Sequence, residues 1–180
     1  MHKNNPVQHN QAINKINHPY PDIKNNVDWQ EVKETWRNLH ADAELRKDLR
    51  PEIYDSWERS YDYKVDRNMR NITHLCSPDE FNLALEQSRS LMEIAIPVME
   101  RLFEFVKGTG FLVSLNDANC VSIKIIGDQE SLEWAKQNNM IEGTIWTEDK
   151  VGTNGVPICT SLVKPISVYG FEHYCLFAIT

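Results

Sequence analysis

Apolar residues recur at helical spacing through the first third of the chain. A helix is predicted from Asp28, whose side chain can form a capping box with Glu31, to about Asp48. Pro51 then marks the first turn of a second helix. The apolar positions of these two helices are Val32, Trp36, Leu39, Ile53, Tyr54, Trp57 and Tyr61.

A third, long helix is predicted from the cap at Ser77 to the glycines Gly108 and Gly110. Its apolar residues follow the alternating spacing of a coiled-coil seam, which favours either a dimer helix or a helix packed on its own sheet. The seam residues are Leu91, Ala95, Val98, Leu102 and Phe105.

After Gly110 the apolar period changes to that of strands. Segments 111–115 and 121–126 flank the turn-forming tetrad at 116–119 and predict an antiparallel hairpin. A short helix is expected from Asp128 or Ser131 to about Asn138, with Leu132, Trp134 and Ala135 as its apolar residues. Segments 165–169 and 174–179 are predicted as two more strands, so that Thr180 falls inside a strand. The pattern predicts an α+β fold.

These elements divide the chain into three parts. Residues 1–26 are rich in Asn, His and Gln and predict a flexible arm. Residues 27–76 form an N-terminal helical region, and residues 77–180 form the sheet domain.

Composition narrows the class of protein. The 180 residues carry a formal net charge of -7, which argues against direct nucleic-acid contact by this fragment. No apolar segment has the length of a membrane span and the start lacks the pattern of a secretory signal, so we expect a cytoplasmic protein. The four cysteines lack CxxC spacing, which is typical of reduced thiols.

Segment 142–174, here called the rim, concentrates turn formers and polar groups between short apolar runs. Gly152, Thr153 and Asn154 offer a turn, a hydroxyl and a carboxamide to a small ligand, or they merely cap the following helix. Trp146 and Glu148 could supply an aromatic wall and a charged acceptor, although a tryptophan beside a sheet is more often core.

Two His-x-Cys pairs contain possible soft-metal ligands. They are His74 with Cys76 and His173 with Cys175, nearly a hundred residues apart, so no metal site is predicted. No cofactor is predicted either. An enzyme is not expected, because no cysteine has a supporting motif that would activate it.

One set of rim residues forms a recognisable signature. It consists of Trp146, Glu148, Val151-Gly152-Thr153-Asn154-Gly155-Val156, Pro165, Val168, Gly170, Glu172, His173 and Tyr174. This set resembles the signature of GAF sensor domains in sigma-54-dependent, Fis-type transcriptional activators, including the regulators of acetoin and of glycerol or dihydroxyacetone catabolism. The upstream Ser56-Trp57-Glu58-Arg59-Ser60 is similar to an element that precedes the GAF domain in the same group, and the turn at Leu115-Asn116-Asp117 is similar to its hairpin turn.

This resemblance implies an antiparallel GAF-like sheet with flanking helices, preceded by an N-terminal helical region and with the last GAF strands missing. It implies a sensor that binds a small organic effector and passes the signal to output domains, as a homodimer through its N-terminal helices. The ligand-binding positions would be Trp146, Glu148, Gly152, Thr153, Asn154 and His173. The alternatives are a ligand-free GAF module for protein interaction or dimerisation and, more remotely, a thiol redox enzyme on the same scaffold.

Two departures from the signature concern specificity. Pro157-Ile158 stands where the family usually has Gly-Thr, and Cys120 stands where it has Gly. Proline is tolerated in the first turn of a helix capped by Asn154, so we expect the fold to survive with a changed pocket lining.

Overall fold

The computed structural model describes residues 29–38 and 49–179. The predicted arm at 1–26 lies outside these residues, as do the start of the first predicted helix and its second half. The fold is α+β, as predicted. The described elements are α1 (Trp29–Arg37), α2 (Pro51–Asp62), α3 (Pro78–Gln87), α4 (Arg89–Val106), β1 (Leu112–Asn116), β2 (Ser122–Gly127), α5 (Gln129–Gln137), α6 (Glu148–Val151) and α7 (Gly155–Leu162).

Helices α1 and α2 share one hydrophobic core with the rim. Ile53 and Trp57 of α2 are 0% and 1% exposed and pack among residues from 146–179. Burying such large side chains stabilises the fold by about 1.5–3 kcal/mol each. The core cluster comprises Val32, Trp36, Leu49, Ile53, Trp57, Ile72, Val151, Ile158, Tyr174, Cys175 and Phe177.

The prediction of one continuous helix from Ser77 to Gly108 is wrong. Ser77 caps α3 as expected and forms a capping box with Glu80, but α3 ends at Gln87 and α4 begins at Arg89. Ser88, with ψ near 5°, lies between them. Serine is a poor helix-interior residue because its hydroxyl competes for backbone hydrogen bonds, which accounts for a break at this position.

Strands β1 and β2 form the predicted antiparallel hairpin, one residue later than expected. Leu112 pairs with Gly127, and a register shift follows Leu115. Asp117 accepts hydrogen bonds from the backbone of Asn119 and Val121 at 2.9 and 2.8 Å, which closes the turn. A second core lies beneath the hairpin, formed by Ala84, Val121 and Ile123.

The strands predicted at 165–169 and 174–179 are absent from the described residues. Short 3-10 turns occur instead at Gly170–Glu172 and Leu176–Ala178. The amides of Leu176 and Phe177 donate to the carbonyls of Arg67 and Met69, so these backbone groups are satisfied by a loop instead of a strand. The apolar run at 174–179 is therefore largely buried, with Tyr174, Cys175 and Phe177 at 2%, 1% and 5% exposure, but it does not form a strand.

Helix α5 forms where predicted, but its apolar residues are used unequally. Ala135 is 1% exposed, whereas Leu132 and Trp134 remain 38% and 46% exposed. None of the helices in the described part of the chain combines the length and the apolar composition needed to cross a bilayer.

Candidate functional site

The rim begins with a one-turn helix and a glycine turn. Thr147 precedes α6, and Gly152 ends it with φ near 68°, a region that favours glycine. A Cβ at Gly152 would lie 2.8 Å from Cβ of Tyr174, closer than any real contact. Glycine is therefore needed here both for the backbone conformation and for the close approach of Tyr174.

Asn154 caps α7, as one of the two interpretations of this segment predicted. Its side-chain oxygen accepts a hydrogen bond from the amide of Val156 at 3.0 Å, and its amide group donates to the carbonyl of Gly152 at 2.9 Å. Pro157 lies in the first turn of α7, where its missing N–H costs no helix hydrogen bond. The carboxamide of Asn154 thus has protein partners on both of its ends.

Glu148 and Thr153 meet the polar face of α2 in a cluster of buried polar groups. The Ser56 hydroxyl donates to the Glu148 carboxylate and lies 2.9 Å from the hydroxyl of Thr153. Ser60 Oγ lies 3.2 Å from the same threonine hydroxyl. Because Ser56, Ser60 and Thr153 are at most 1% exposed, these contacts replace solvent for all three hydroxyls.

Arg59 completes the cluster from its solvent side. Its Nε donates to Glu148 Oε2 at 2.6 Å and its terminal nitrogen donates to Oε1 at 3.1 Å, a bidentate pair. The hydrogen bonds to Glu148 raise the pKa of the Arg59 guanidinium. The Glu148 side chain is 11% exposed and that of Arg59 is 43% exposed, so the pair is half-open to solvent.

A second ion pair ties the end of the rim to the start of α2. Arg50 donates to both carboxylate oxygens of Glu172, at 2.9 and 2.7 Å. The side chains are 11% and 3% exposed, which makes this the more buried of the two bridges. The indoles of Trp57 and Trp36 donate to the backbone carbonyls of Glu172 and Tyr174, at 2.7 and 2.9 Å.

Trp146 and His173 have no contact with this cluster among the hydrogen bonds of the described residues. The indole of Trp146 donates to Ser122 at 2.9 Å, and its ring packs against Phe177. The Nδ1 atom of His173 lies 3.0 Å from the carbonyl of Gly170, and burial lowers the pKa of this histidine. Of the six predicted ligand positions, therefore, only Glu148 and Thr153 share a partner in α2.

Cys120 and Cys175 are held in environments that favour the neutral thiol. Burial raises the pKa of Cys175 to about 12 and also raises that of Cys120. The thiolate is the reactive form of cysteine, so burial disfavours nucleophilic chemistry at both positions. The described residues contain no group of three or more His, Cys, Asp or Glu arranged to hold a metal ion.

Sequence reasoning gave no role to Ser56, Arg59, Ser60 or Arg50. One available signal was the spacing of Ser56 and Ser60, which places two small hydroxyls one turn apart beside the buried Trp57. Hydroxyls on a buried helix face need partners, and the rim supplies them. The partner residues themselves, about ninety positions later, could not be identified from spacing.

Comparison with known proteins shows that the chain is similar to part of several regulators of transcription. It is 32% identical over 122 residues to a signal-transduction and transcriptional-control protein of Clostridium beijerinckii, covering 68% of this chain and 19% of that protein. It is 27% identical over 144 residues to AcoR, the acetoin dehydrogenase operon transcriptional activator of Bacillus subtilis, covering 79% of this chain and 24% of AcoR.

The resemblance to the sensor region of acetoin-regulator-type transcriptional activators is therefore confirmed. A further relative is MimR of Mycolicibacterium goodii, a propane 2-monooxygenase operon transcriptional activator, which is 27% identical over 149 residues, or 82% of this chain and 24% of MimR. The chain thus spans at most 24% of the length of these three relatives. No protein-family model matches the chain.

A solved structure confirms the fold. The crystal structure of the Escherichia coli DhaR(N)–DhaL complex contains a chain that superimposes with a TM-score of 0.68 at 17% sequence identity. The match covers 72% of this chain and 44% of that chain. The similarity supports the GAF-like fold with missing strands that the sequence predicted.

Proposed function

We propose that this chain is the part of a transcriptional activator that senses a small organic effector at the rim. The observation that carries the proposal is the cluster at Glu148 and Thr153, where a carboxylate and buried hydroxyls converge on one point between two elements. A carboxylate accepts hydrogen bonds from the hydroxyl groups of a ligand, and a serine or threonine hydroxyl can also donate to a carbonyl oxygen. The effector class is therefore a small, neutral molecule that carries hydroxyl or carbonyl groups.

The name of one relative agrees with this class. AcoR activates an acetoin dehydrogenase operon, and acetoin carries one hydroxyl and one carbonyl group. A regulator of bacterial transcription would act in the cytoplasm, and this is the location that we propose. With a net charge of -7, DNA contact would belong to residues outside this chain.

Thermal unfolding of the full chain with a panel of small diols, ketones and hydroxyketones tests the proposal. A compound present at 100 times its Kd should stabilise the fold by about 2.7 kcal/mol and raise the Tm accordingly. The substitution Glu148→Gln should remove the shift. The matched control is Glu142→Gln, because Glu142 also pairs with a cation, Lys124 at 3.0 Å, but away from the cluster. A panel in which no compound raises the Tm would contradict the proposal.

The second candidate is a module for dimerisation or protein interaction, favoured by an exposed apolar stripe on α4. Met99 and Phe103 face the core at 6% and 9% exposure, whereas the opposite side of the helix is open. An exposed stripe of this kind marks interaction surfaces in soluble proteins. Its residues are Leu91, Ile94, Val98, Leu102 and Phe105, between 45% and 86% exposed.

A homodimer in which α4 packs against α4 of a second copy would cover this stripe, and the fold neighbour was itself crystallised in a protein complex. Sedimentation velocity of the wild type and of Val98→Glu with Leu102→Glu distinguishes the cases. A concentration-dependent dimer that the double substitution abolishes would support dimerisation through α4. A wild type that stays monomeric at all concentrations would rule out the homodimer. The apolar stripe would then be a binding surface for a different protein.

A further inference from the structure

The polar face of α2 occupies the hydrogen-bonding groups of the rim on which the proposed effector would depend. The carboxylate of Glu148 receives hydrogen bonds from the hydroxyl of Ser56 and from two nitrogens of Arg59. The hydroxyl of Thr153 lies within hydrogen-bond distance of Ser56 and Ser60. A ligand that uses either rim group must therefore replace side chains of α2.

The two sides of this contact differ in how firmly they are anchored. On the α2 side, Ile53 and Trp57 are 0% and 1% exposed, and the indole of Trp57 is fixed to the carbonyl of Glu172. On the rim side, α6 is a single turn of four residues that contributes one buried side chain, Val151, to the same core and ends at the glycine turn of Gly152. A short element flanked by a glycine turn opens at lower free energy than a helix with a buried apolar face.

We infer that Ser56, Arg59 and Ser60 form a latch that holds the segment from Glu148 to Thr153 closed against α2. In this arrangement α2 stays in place, and it is the rim segment that moves when the latch opens. An effector binds to Glu148 or Thr153 as the latch side chains release them. The effector half of this inference rests on the proposed function, whereas the closure of the rim by α2 rests on the contacts alone.

The latch makes closure of the rim and effector binding compete for the same groups. By linkage, whatever weakens the closed arrangement tightens the binding of a ligand that requires the open one. The solvent side of the latch is the accessible point of control, because the Arg59 side chain is 43% exposed whereas the serines beneath it are buried. A change at Arg59 therefore alters the latch without opening the core.

Amide hydrogen exchange of the full chain tests the closure directly. In Arg59→Ala, and separately in Ser56→Ala, amides in segment 146–156 should exchange about threefold to tenfold faster than in the wild type, while amides of β1 and β2 keep their rates. Lys124→Ala is the matched control, because it breaks an ion pair of 3.0 Å whose side chains are 36% and 39% exposed. Arg59→Lys should lie between the wild type and Arg59→Ala, since lysine keeps the charge and loses the bidentate geometry.

Rates in segment 146–156 that equal those of the control, or an acceleration spread over the whole chain, would overturn the latch. The effector half has its own readout, the affinity of compounds that raise the Tm of the wild type. Arg59→Ala should bind such a compound about threefold to tenfold more tightly. Weaker binding would overturn the latch and make Arg59 a ligand contact. If rim exchange accelerates in the variants and no compound binds to any of them, the latch stands and the proposed effector function fails.

Discussion

The rim face and the hairpin face of this domain differ in how completely their apolar side chains are buried. On the rim face, where α1 and α2 pack against segment 142–174, large apolar side chains are buried and polar groups are paired. On the hairpin face, formed by α4, β1 and β2, one side of α4 leaves Phe105 86% exposed and Ile94 73% exposed. Within the described chain the large apolar side chains of the rim face are covered, whereas the hairpin face keeps apolar area exposed to solvent.

This difference separates two roles that the resemblance to sensor domains combines. A face whose groups are all paired internally can respond to a ligand only by exchanging one set of contacts for another. A face with uncovered apolar area gains free energy by covering it, about 25 cal/mol for each Å² removed from water. The proposed sensing would therefore fall to the rim face and the proposed association to the hairpin face, and single substitutions can separate the two.

The largest expected effect is the loss of stability in Trp57→Ala. Removing a side chain that is 1% exposed leaves a cavity in the shared core and frees the carbonyl of Glu172 from its 2.7 Å hydrogen bond. We expect the free energy of unfolding in urea to fall by about 3–5 kcal/mol. Trp134→Ala is the control, because Trp134 is 46% exposed. Equal losses in the two variants would show that α2 does not share a core with the rim.

An intermediate effect is expected from Gly152→Ala. The new methyl group would lie 2.8 Å from Cβ of Tyr174, and the residue would keep a φ near 68° that alanine rarely adopts. The free energy of unfolding should fall by about 1–3 kcal/mol, measured by urea denaturation. Gly155→Ala is matched to it, since a Cβ at Gly155 meets open space and φ is not positive there. A Gly152→Ala variant as stable as Gly155→Ala would contradict the close packing of the turn.

The smallest effect is expected at Phe105, on the hairpin face. Because its side chain is 86% exposed, Phe105→Ala should change the free energy of unfolding by no more than about 0.5 kcal/mol, measured at concentrations where the chain is monomeric. Phe103→Ala, two residues earlier and 9% exposed, should cost several times as much. Similar losses at the two positions would mean that Phe105 is already covered in the monomer.

Local signals in the sequence predicted the elements whose structure is set locally. The capping box of Ser77 and Glu80, the cap at Asn154 and the turn at Asp117 were found from residue types within four positions. Local pattern failed where distant segments decide the backbone. Leu176 and Phe177 lie in an apolar run that predicted a strand, but their amides donate to the carbonyls of Arg67 and Met69, more than a hundred residues earlier.

The residues of the candidate site likewise divide into those that the sequence predicted and those that it did not. Glu148 and Thr153 were identified because the rim resembles a known signature, yet the partners that define their environment, Ser56 and Arg59, lie in another element. Ser56 and Arg59 reach the rim because of the way α2 packs. That packing depends on the burial of Ile53 and Trp57 in a core formed largely by residues beyond 140. Periodicity predicted that these two side chains are buried, but it could not predict what they are buried against.

The tryptophan anchors give the protein a built-in optical reporter. Of its five tryptophans, Trp36 and Trp57 have indole N–H groups bound to the carbonyls of Tyr174 and Glu172, at the far end of the rim. Indole emission depends on the polarity around the ring and on the partner of its N–H. A rearrangement that passes along the rim to those carbonyls would therefore change the intrinsic fluorescence of the chain, without any added dye.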